Sequence, residues 1–210
     1  MTRPTPDHPQ NHGTEQEYIR VDQFDLAGVP DSFQRLWNPH RVAYIKRGQS
    51  QVKDPSTCPF CAGPSRTDEE ALIVHRGKTC FVLLNLYPYN SGHLLVCPYR
   101  HVPDYTDIST EEAAEMAELT QIAMICLRRV ARATGFNIGM NQGVTGGAGI
   151  AAHLHQHVVP RWSGDVNFMP IIAQAKSMVQ TLGENRADIA HAWDEAAAAF
   201  QAERYRGPDA

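Results

Sequence analysis

The stretch His153-Leu154-His155-Gln156-His157-Val158-Val159-Pro160-Arg161-Trp162 carries histidine at every second position. A strand repeats every two residues, so the three imidazoles share one face and Leu154, Gln156 and Val158 the other. Just upstream, Gly143-Val144-Thr145-Gly146-Gly147-Ala148-Gly149 holds four glycines in seven residues. Such a loop lets backbone N–H groups approach and cradle an anion without obstruction by side chains. A glycine-rich loop running into a histidine strand points to phosphate chemistry. The histidine pattern taken alone also fits a metal site or a solvated face.

A histidine strand needs a sheet around it. Ala71 to His75, Cys80 to Leu86, His93 to Pro98 and Phe136 to Asn141 are short runs with strand character, separated by Arg76-Gly77-Lys78 and by Tyr87 to Gly92. From Thr110 to Thr134 the period becomes helical, with Met116, Leu119, Ala123, Leu127 and Val130 on one face. Ser109 with Glu112 predicts a capping box, and Gly135 the stop. Pro170 to Leu182 and Arg186 to Tyr205 are alanine-rich and favour helix. Met1 to Glu17, with three prolines and no apolar pattern, reads as a mobile tail. Tyr18 to Lys46 reads as an arm packed on the core, with a short helix carrying Phe33, Leu36 and Trp37. The expected organisation is a tail over 1–17, an arm over 18–57, the histidine-bearing domain over 58–168 and a helical extension over 169–210, in an α+β fold.

Composition excludes several functions. A net charge of -4 argues against a general nucleic-acid or membrane-surface binder, both of which need a basic field. No apolar run approaches the roughly 20 residues needed to cross a bilayer, and the first residues are polar, which predicts a cytoplasmic protein. Disulfides are not expected in that compartment. Of five cysteines, Cys80, Cys97 and Cys126 lie in apolar stretches and read as small core residues. Cys58-Pro59-Phe60-Cys61 has the knuckle spacing of a zinc site, although two unpaired thiols or a redox pair have the same spacing.

An imidazole is a competent nucleophile near neutrality because its ordinary pKa of about 6.5 leaves a large neutral fraction. Attack on phosphorus needs the other ring nitrogen protonated and held by an acceptor, which a nearby backbone carbonyl can supply. His155 is central, with His153 and His157 flanking it as hydrogen-bond donors to phosphoryl oxygens.

The stretch Asn137 to Trp162, with His-Leu-His-Gln-His-Val-Val, resembles the signature of the histidine triad (HIT) family of nucleotide hydrolases and transferases. Asn85-Leu-Tyr-Pro-Tyr-Asn-Ser-Gly-His-Leu-Leu-Val-Cys-Pro-Tyr-Arg-His101 is similar to the upstream segment of that family. Arg161 to Met169 further resembles its bacterial diadenosine tetraphosphate phosphorylase-like branch. The resemblance covers roughly Cys58 to Asn167. It departs at Gln156, where the signature prefers an apolar residue, and at Gly149 and Ile150, where many members place Ser or Thr. Backbone N–H groups of the loop or Thr145 would then contact the phosphate.

The resemblance implies a HIT-like fold, a mainly antiparallel sheet of about five strands with one long helix. It implies attack by His155 on a nucleotide α-phosphorus, a nucleotidyl-histidine intermediate, and resolution by phosphate or water. The nucleotide-binding positions it implies are Asn85, Asn141, Gln142, Gly147, Gly149, His157 and Arg161; Arg161 could equally meet a carboxylate. In zinc-bearing members the ligand set maps onto Cys58, Cys61, His101 and His153, a closed structural zinc site. His93 is expected as a structural hydrogen-bonding residue, His75 and His191 at the surface, and Trp162, Tyr87 and Tyr89 in the core or an interface, or stacked on adenine. A dinucleoside polyphosphate such as diadenosine tetraphosphate is the expected substrate, with Mg²⁺ a candidate companion of the polyphosphate, and a homodimer or dimer of dimers the expected assembly. The competing expectations are a phosphoramidate or small-nucleotide hydrolase, a nucleotide-binding protein without turnover, and a plain zinc module.

Overall fold

The computed structural model describes residues 55–165 and 178–204. The predicted tail and nearly all of the arm, and most of the segment Pro170 to Leu182, lie outside these residues. The described chain runs α1 (Pro59–Ala62), β1 (Ile73–Arg76), β2 (Cys80–Leu84), β3 (Leu94–Pro98), α2 (Thr110–Ala131), β4 (Gly135–Met140), β5 (Gln156–Arg161) and α3 (Leu182–Arg204). The strands form one five-stranded sheet in the order β1-β2-β3-β5-β4, every neighbouring pair antiparallel.

Strands β2 and β3 are buried along their whole length, which explains why Cys80-Phe81-Val82-Leu83-Leu84 and Leu94-Leu95-Val96-Cys97-Pro98 are continuous apolar runs. Alternate residues serve opposite layers. Cys80, Val82, Leu84, Leu94 and Val96 pack under α2 and α3 together with Met116, Leu127, Ile189 and Trp193. Phe81, Leu83, Leu95 and Cys97 face the other way, onto Cys58, Phe60 and Ile73. The cysteine segment therefore covers the sheet face opposite the helices.

The capping box on α2 forms as predicted: the Ser109 hydroxyl accepts from the Glu112 N–H, and the Glu112 carboxylate accepts from the Ser109 N–H. Glu112 also receives a two-pronged contact from Arg100, and that guanidinium holds its carboxyl down at about 2. Two details differ from expectation. The helix ends at Ala131 because Arg132, not Gly135, takes the left-handed conformation (φ 52°), and Gly135 instead opens β4. Val130 is more than a third exposed, since the core-facing row of α2 ends at Leu127.

Helix α3 begins where Thr181 and Glu184 form a second reciprocal cap, so residues 178–181 are not helical as the alanine-rich composition implied. Its buried residues Ile189, Trp193, Ala196 and Phe200 repeat at helical spacing and enter the same core as α2 and the sheet. Helix α3 is thus part of the main hydrophobic core. His75, expected at the surface, is half-buried and stacks on Trp193 at 4.9 Å, whereas His191 is exposed. Cys80, Cys97 and Cys126 are buried core residues as expected. Among the described residues no helix is long and apolar enough to cross a membrane.

Candidate active site and metal centre

Hydrogen-bonded strand begins only at Gln156, so His153 lies in the bend that leads toward β5, His155 just before the strand and His157 on the strand itself. The alternation nevertheless holds. Leu154 and Val158 enter the core beneath α2, and the Gln156 amide donates to the Thr120 hydroxyl on that helix. The histidines face the opposite layer, with the His155 and His157 rings edge to face at 5.1 Å.

Hydrogen-bond partners fix the protonated nitrogen on each ring. His155 Nδ1 is 2.8 Å from the His153 carbonyl oxygen, so Nδ1 carries the proton and Nε2 the lone pair. His155 is 6% exposed, and burial lowers its pKa, partly offset by that carbonyl contact. It is therefore neutral at pH 7, the state a nucleophile needs. Phe60 lies against both His153 (5.4 Å) and His155 (5.1 Å), shielding the ring from water.

The third imidazole is set by a relay. The Tyr89 N–H donates to His93 Nδ1 at 3.0 Å, so His93 Nε2 is the protonated nitrogen. That Nε2 lies 2.9 Å from His157 Nδ1, which must accept, leaving the His157 proton on Nε2. His157 Nε2 is buried and has no hydrogen-bond partner among the described residues. A buried N–H left in this state costs free energy unless a ligand satisfies it. Burial, and then the adjacent His155, push the His157 pKa down to about 4, so this donor is an uncharged imidazole at pH 7. Tyr89 stacks on His157 at 5.7 Å and remains 54% exposed.

These depressed values have a testable consequence. Between pH 6.5 and about 4 the unfolded chain protonates at His157 and the folded one does not, so stability present above pH 6.5 is lost as the pH falls through this window. The melting temperature is expected to drop steadily from pH 6.5 toward 4. Turnover is expected to be flat above pH 6.5 and to fall on the acid side as His155 loses its lone pair. A pH–rate profile rising on acidification would contradict the assignment of a neutral nucleophile.

The candidate metal centre is built around one helical turn. Cys58 is the N-cap of α1, Pro59 occupies its first position, and the turn brings Cys61 back over Cys58. The Cys61 Sγ lies 3.1 Å from His101 Nδ1 and 3.4 Å from His153 Nδ1, and the Cys58 Sγ lies 3.5 Å from His153 Nδ1. His153 Nε2 donates to the Pro98 carbonyl at 2.9 Å, which turns the lone pair of Nδ1 toward the cysteines. The four candidate ligand atoms all lie within 4.8 Å of one another. A tetrahedral ion with Zn–S near 2.3 Å and Zn–N near 2.0 Å has S···N edges of about 3.5 Å, so the set fits one ion. Burial, with Cys58 beside it, raises the Cys61 thiol to about 11 in the protein alone, so a cation would be needed to hold it as a thiolate at neutral pH.

Other predicted residues have structural partners. Gln142 Oε1 accepts from the Tyr105 N–H and its Nε2 donates to the Pro103 carbonyl, which clamps the start of the glycine loop. In that loop Gly143 and Gly147 have φ of 66° and 86°, and a Cβ on Gly146 would lie 2.2 Å from the Gln142 carbonyl oxygen. The Gly147 and Ala148 N–H groups close turns onto Val144 and Gly143, while Thr145 is exposed. Asn85 Oδ1 accepts from the Tyr87 N–H, and its Nδ2 approaches His93 Nδ1 at 3.4 Å. Asn141 and Gly149 are half-buried at the two ends of the loop. Of the two partners considered for Arg161, the structure supplies the carboxylate: its guanidinium grips both oxygens of Asp165, and Nη1 donates to Asn137. Trp162 is half-buried and donates to the Ala131 carbonyl, a packing role. Sequence reasoning missed Phe60 as a shield; an apolar residue between two cysteines was its only signal.

The HIT domain matches residues 66–164. An AP-4-A phosphorylase of Mycobacterium tuberculosis is 44% identical over 172 residues, covering 80% of this chain and 88% of the relative. The chain belongs to the HIT family. Two solved HIT structures share the fold: a Zn-bound histidine triad family protein of Mycobacterium smegmatis (TM-score 0.56, 26% identity, 70% of this chain and 99% of the other) and a hypothetical histidine triad nucleotide-binding protein of Sulfolobus tokodaii (TM-score 0.54, 25% identity, 72% and 98%). This HIT protein is AP-4-A phosphorylase-like in sequence over most of its length.

Proposed function

We propose that the protein is a nucleotidyltransferase that cleaves diadenosine tetraphosphate with phosphate, yielding ADP and ATP. The observation that carries this reading is the pairing of a lone pair on His155 Nε2 with a buried, unpartnered N–H on His157 Nε2. His155 attacks an α-phosphorus, the P–O bond to the remaining triphosphate breaks, and ATP leaves. The resulting adenylyl-histidine is attacked by inorganic phosphate, releasing ADP and restoring the neutral ring. His157 donates to a phosphoryl oxygen as charge develops there. Asn85, Asn141, Gly147 and Gly149 line the nucleotide and its phosphates in this reading, and Gln142 acts by holding the loop in place. The AP-4-A phosphorylase name of the Mycobacterium tuberculosis relative supports the substrate class.

Cys58, Cys61, His101 and His153 hold a structural zinc ion in the same reading. The ion would neutralise two thiolates and tie the cysteine segment to the strand that carries His155. The assembly proposed is a homodimer through the long helix and a sheet edge; β4 lies at such an edge with Ile138 exposed.

The test is incubation with diadenosine tetraphosphate, with and without phosphate and Mg²⁺, followed by chromatographic separation of the nucleotides. ADP plus ATP formed only with phosphate supports the phosphorylase. AMP plus ATP formed without phosphate would make the protein a hydrolase, and no products at all would leave only a binding role.

A further inference from the structure

Helix α3 lies beyond the residues matched by the HIT domain, yet it reaches the relay that sets the tautomer of His157. The contact is made by Asn185, which is 5% exposed and sits one turn inside the helix. Its Nδ2 donates to the Ser91 hydroxyl oxygen at 2.9 Å. Ser91 and Gly92 immediately precede His93 in the turn between β2 and β3. Gly92 holds φ at +75°, and a Cβ there would meet Leu127 of α2 at 3.0 Å, Pro160 of β5 at 3.6 Å and the Asn185 Oδ1 at 3.9 Å. The turn thus sits at a junction of three elements, tightest against Leu127 of α2.

A second buried asparagine secures the same turn from the sheet side. Asn90 donates to the Pro160 carbonyl at 3.0 Å and to Asp165 at 2.8 Å. Asn90 ties the turn to β5, and Asn185 ties it to α3. The helix itself cannot slide, because Arg186 donates to the Ile73 carbonyl and to Glu69, and Ile189, Trp193, Ala196 and Phe200 are buried in the main core. His93 is fully buried at the end of this turn, and its hydrogen bond to His157 spans only 2.9 Å. A shift of a few tenths of an ångström there lengthens the bond and lets the His157 proton move to Nδ1, because the two tautomers of a neutral imidazole differ little in intrinsic energy.

We propose that Asn185 is a positioning residue for catalysis: through Ser91 it fixes the turn that carries His93, and so keeps the His157 proton on Nε2, facing the phosphate. This makes the C-terminal helix a working part of the active centre. The proposal rests on the reading of His157 as a phosphoryl donor, and its test separates the two.

Three variants are compared with the wild-type chain: Asn185→Ala, Ser91→Ala and the double substitution. Steady-state kinetics with diadenosine tetraphosphate and ¹⁵N NMR of the histidine ring nitrogens are measured well below each melting temperature. Asn185→Ala is expected to lower kcat about tenfold or more while KM changes little, since the misplaced donor acts on the transition state. The NMR spectrum is expected to show His157 moving from the Nε2–H tautomer to a mixture. The double substitution should be no worse than the worse single one, because both break the same contact. A lowered melting temperature with unchanged kcat and an unchanged His157 tautomer would reduce Asn185 to a packing residue and overturn the proposal, as would fully additive losses. The tautomer measurement needs no substrate, so it decides the positioning role even if the wild-type protein does not turn over diadenosine tetraphosphate.

Discussion

Replacing His155 by asparagine is expected to reduce cleavage of diadenosine tetraphosphate by about ten-thousandfold or more, because the proposed mechanism loses its covalent nucleophile rather than one of several donors. Asparagine keeps a polar N–H that can reach the His153 carbonyl, so the segment entering β5 keeps its anchor. The ring's contact with Phe60 is lost, a modest packing change compared with the chemical one. The fold and the candidate metal site are therefore expected to survive, with a melting temperature near that of the wild type. Intact-mass spectrometry after mixing with substrate in the absence of phosphate should show an adenylyl adduct on the wild-type chain and none on H155N. His157→Asn should be milder, since it removes one donor and leaves the nucleophile; a loss of about a hundredfold is expected. Turnover by H155N within tenfold of wild type would eliminate the covalent mechanism.

The second large effect concerns the metal centre. Cys58→Ser is expected to abolish stoichiometric zinc, as measured by elemental analysis of protein purified without added metal. It is also expected to lower the melting temperature by roughly 10 °C, from a loss of about 3–5 kcal/mol spread over a domain of this size. The physical reason is the place of the cluster in the fold. Cys58 is fully buried with Phe60, Phe81 and Leu95, so the segment it anchors is the roof of one face of the sheet. Losing the ion leaves a half-buried thiol, a buried hydroxyl and two imidazole Nδ1 atoms crowded together without the cation that would hold them. A strong chelator should reproduce the shift on the wild-type chain, and His101→Ala should resemble Cys58→Ser. Wild-type protein that contains no metal, and whose melting temperature ignores a chelator, would show the cluster to be four hydrogen-bonded side chains and nothing more.

The two predictions differ in kind because His153 and His155 do different work two residues apart. His153 spends its Nε2 proton on Pro98 and turns Nδ1 to the cysteines, whereas His155 spends its Nδ1 proton on the His153 carbonyl and turns Nε2 outward. The strand-like period placed both rings on one face. Which nitrogen each ring exposes depends on carbonyls brought to it by the fold.

Several features were legible in the residues alone. Period-two alternation put Leu154 and Val158 in the core and the histidines opposite. The Ser109 and Glu112 spacing located the start of α2, because a capping box is a local hydrogen-bonding pattern. The same logic, applied to Thr181 and Glu184, would have located the start of α3, where alanine content misled. The cysteine spacing and the two histidines of the ligand set came together as the family resemblance implied, although 95 residues separate Cys58 from His153.

What local sequence determined, then, was which residues alternate, which cap a helix and which can bind a metal, since those properties depend on neighbours within a few positions. The tertiary structure decided the rest. It gave Arg161 to Asp165 and Gln142 to the Pro103 and Tyr105 backbone, set Phe60 against His155, and linked α3 through the turn Ser91-Gly92-His93 to His157. A guanidinium or an amide can bind a phosphate or a neighbouring group with similar energy, so its type does not reveal its partner. Only the packing of distant segments, which fixes which groups lie within about 3 Å, makes that choice.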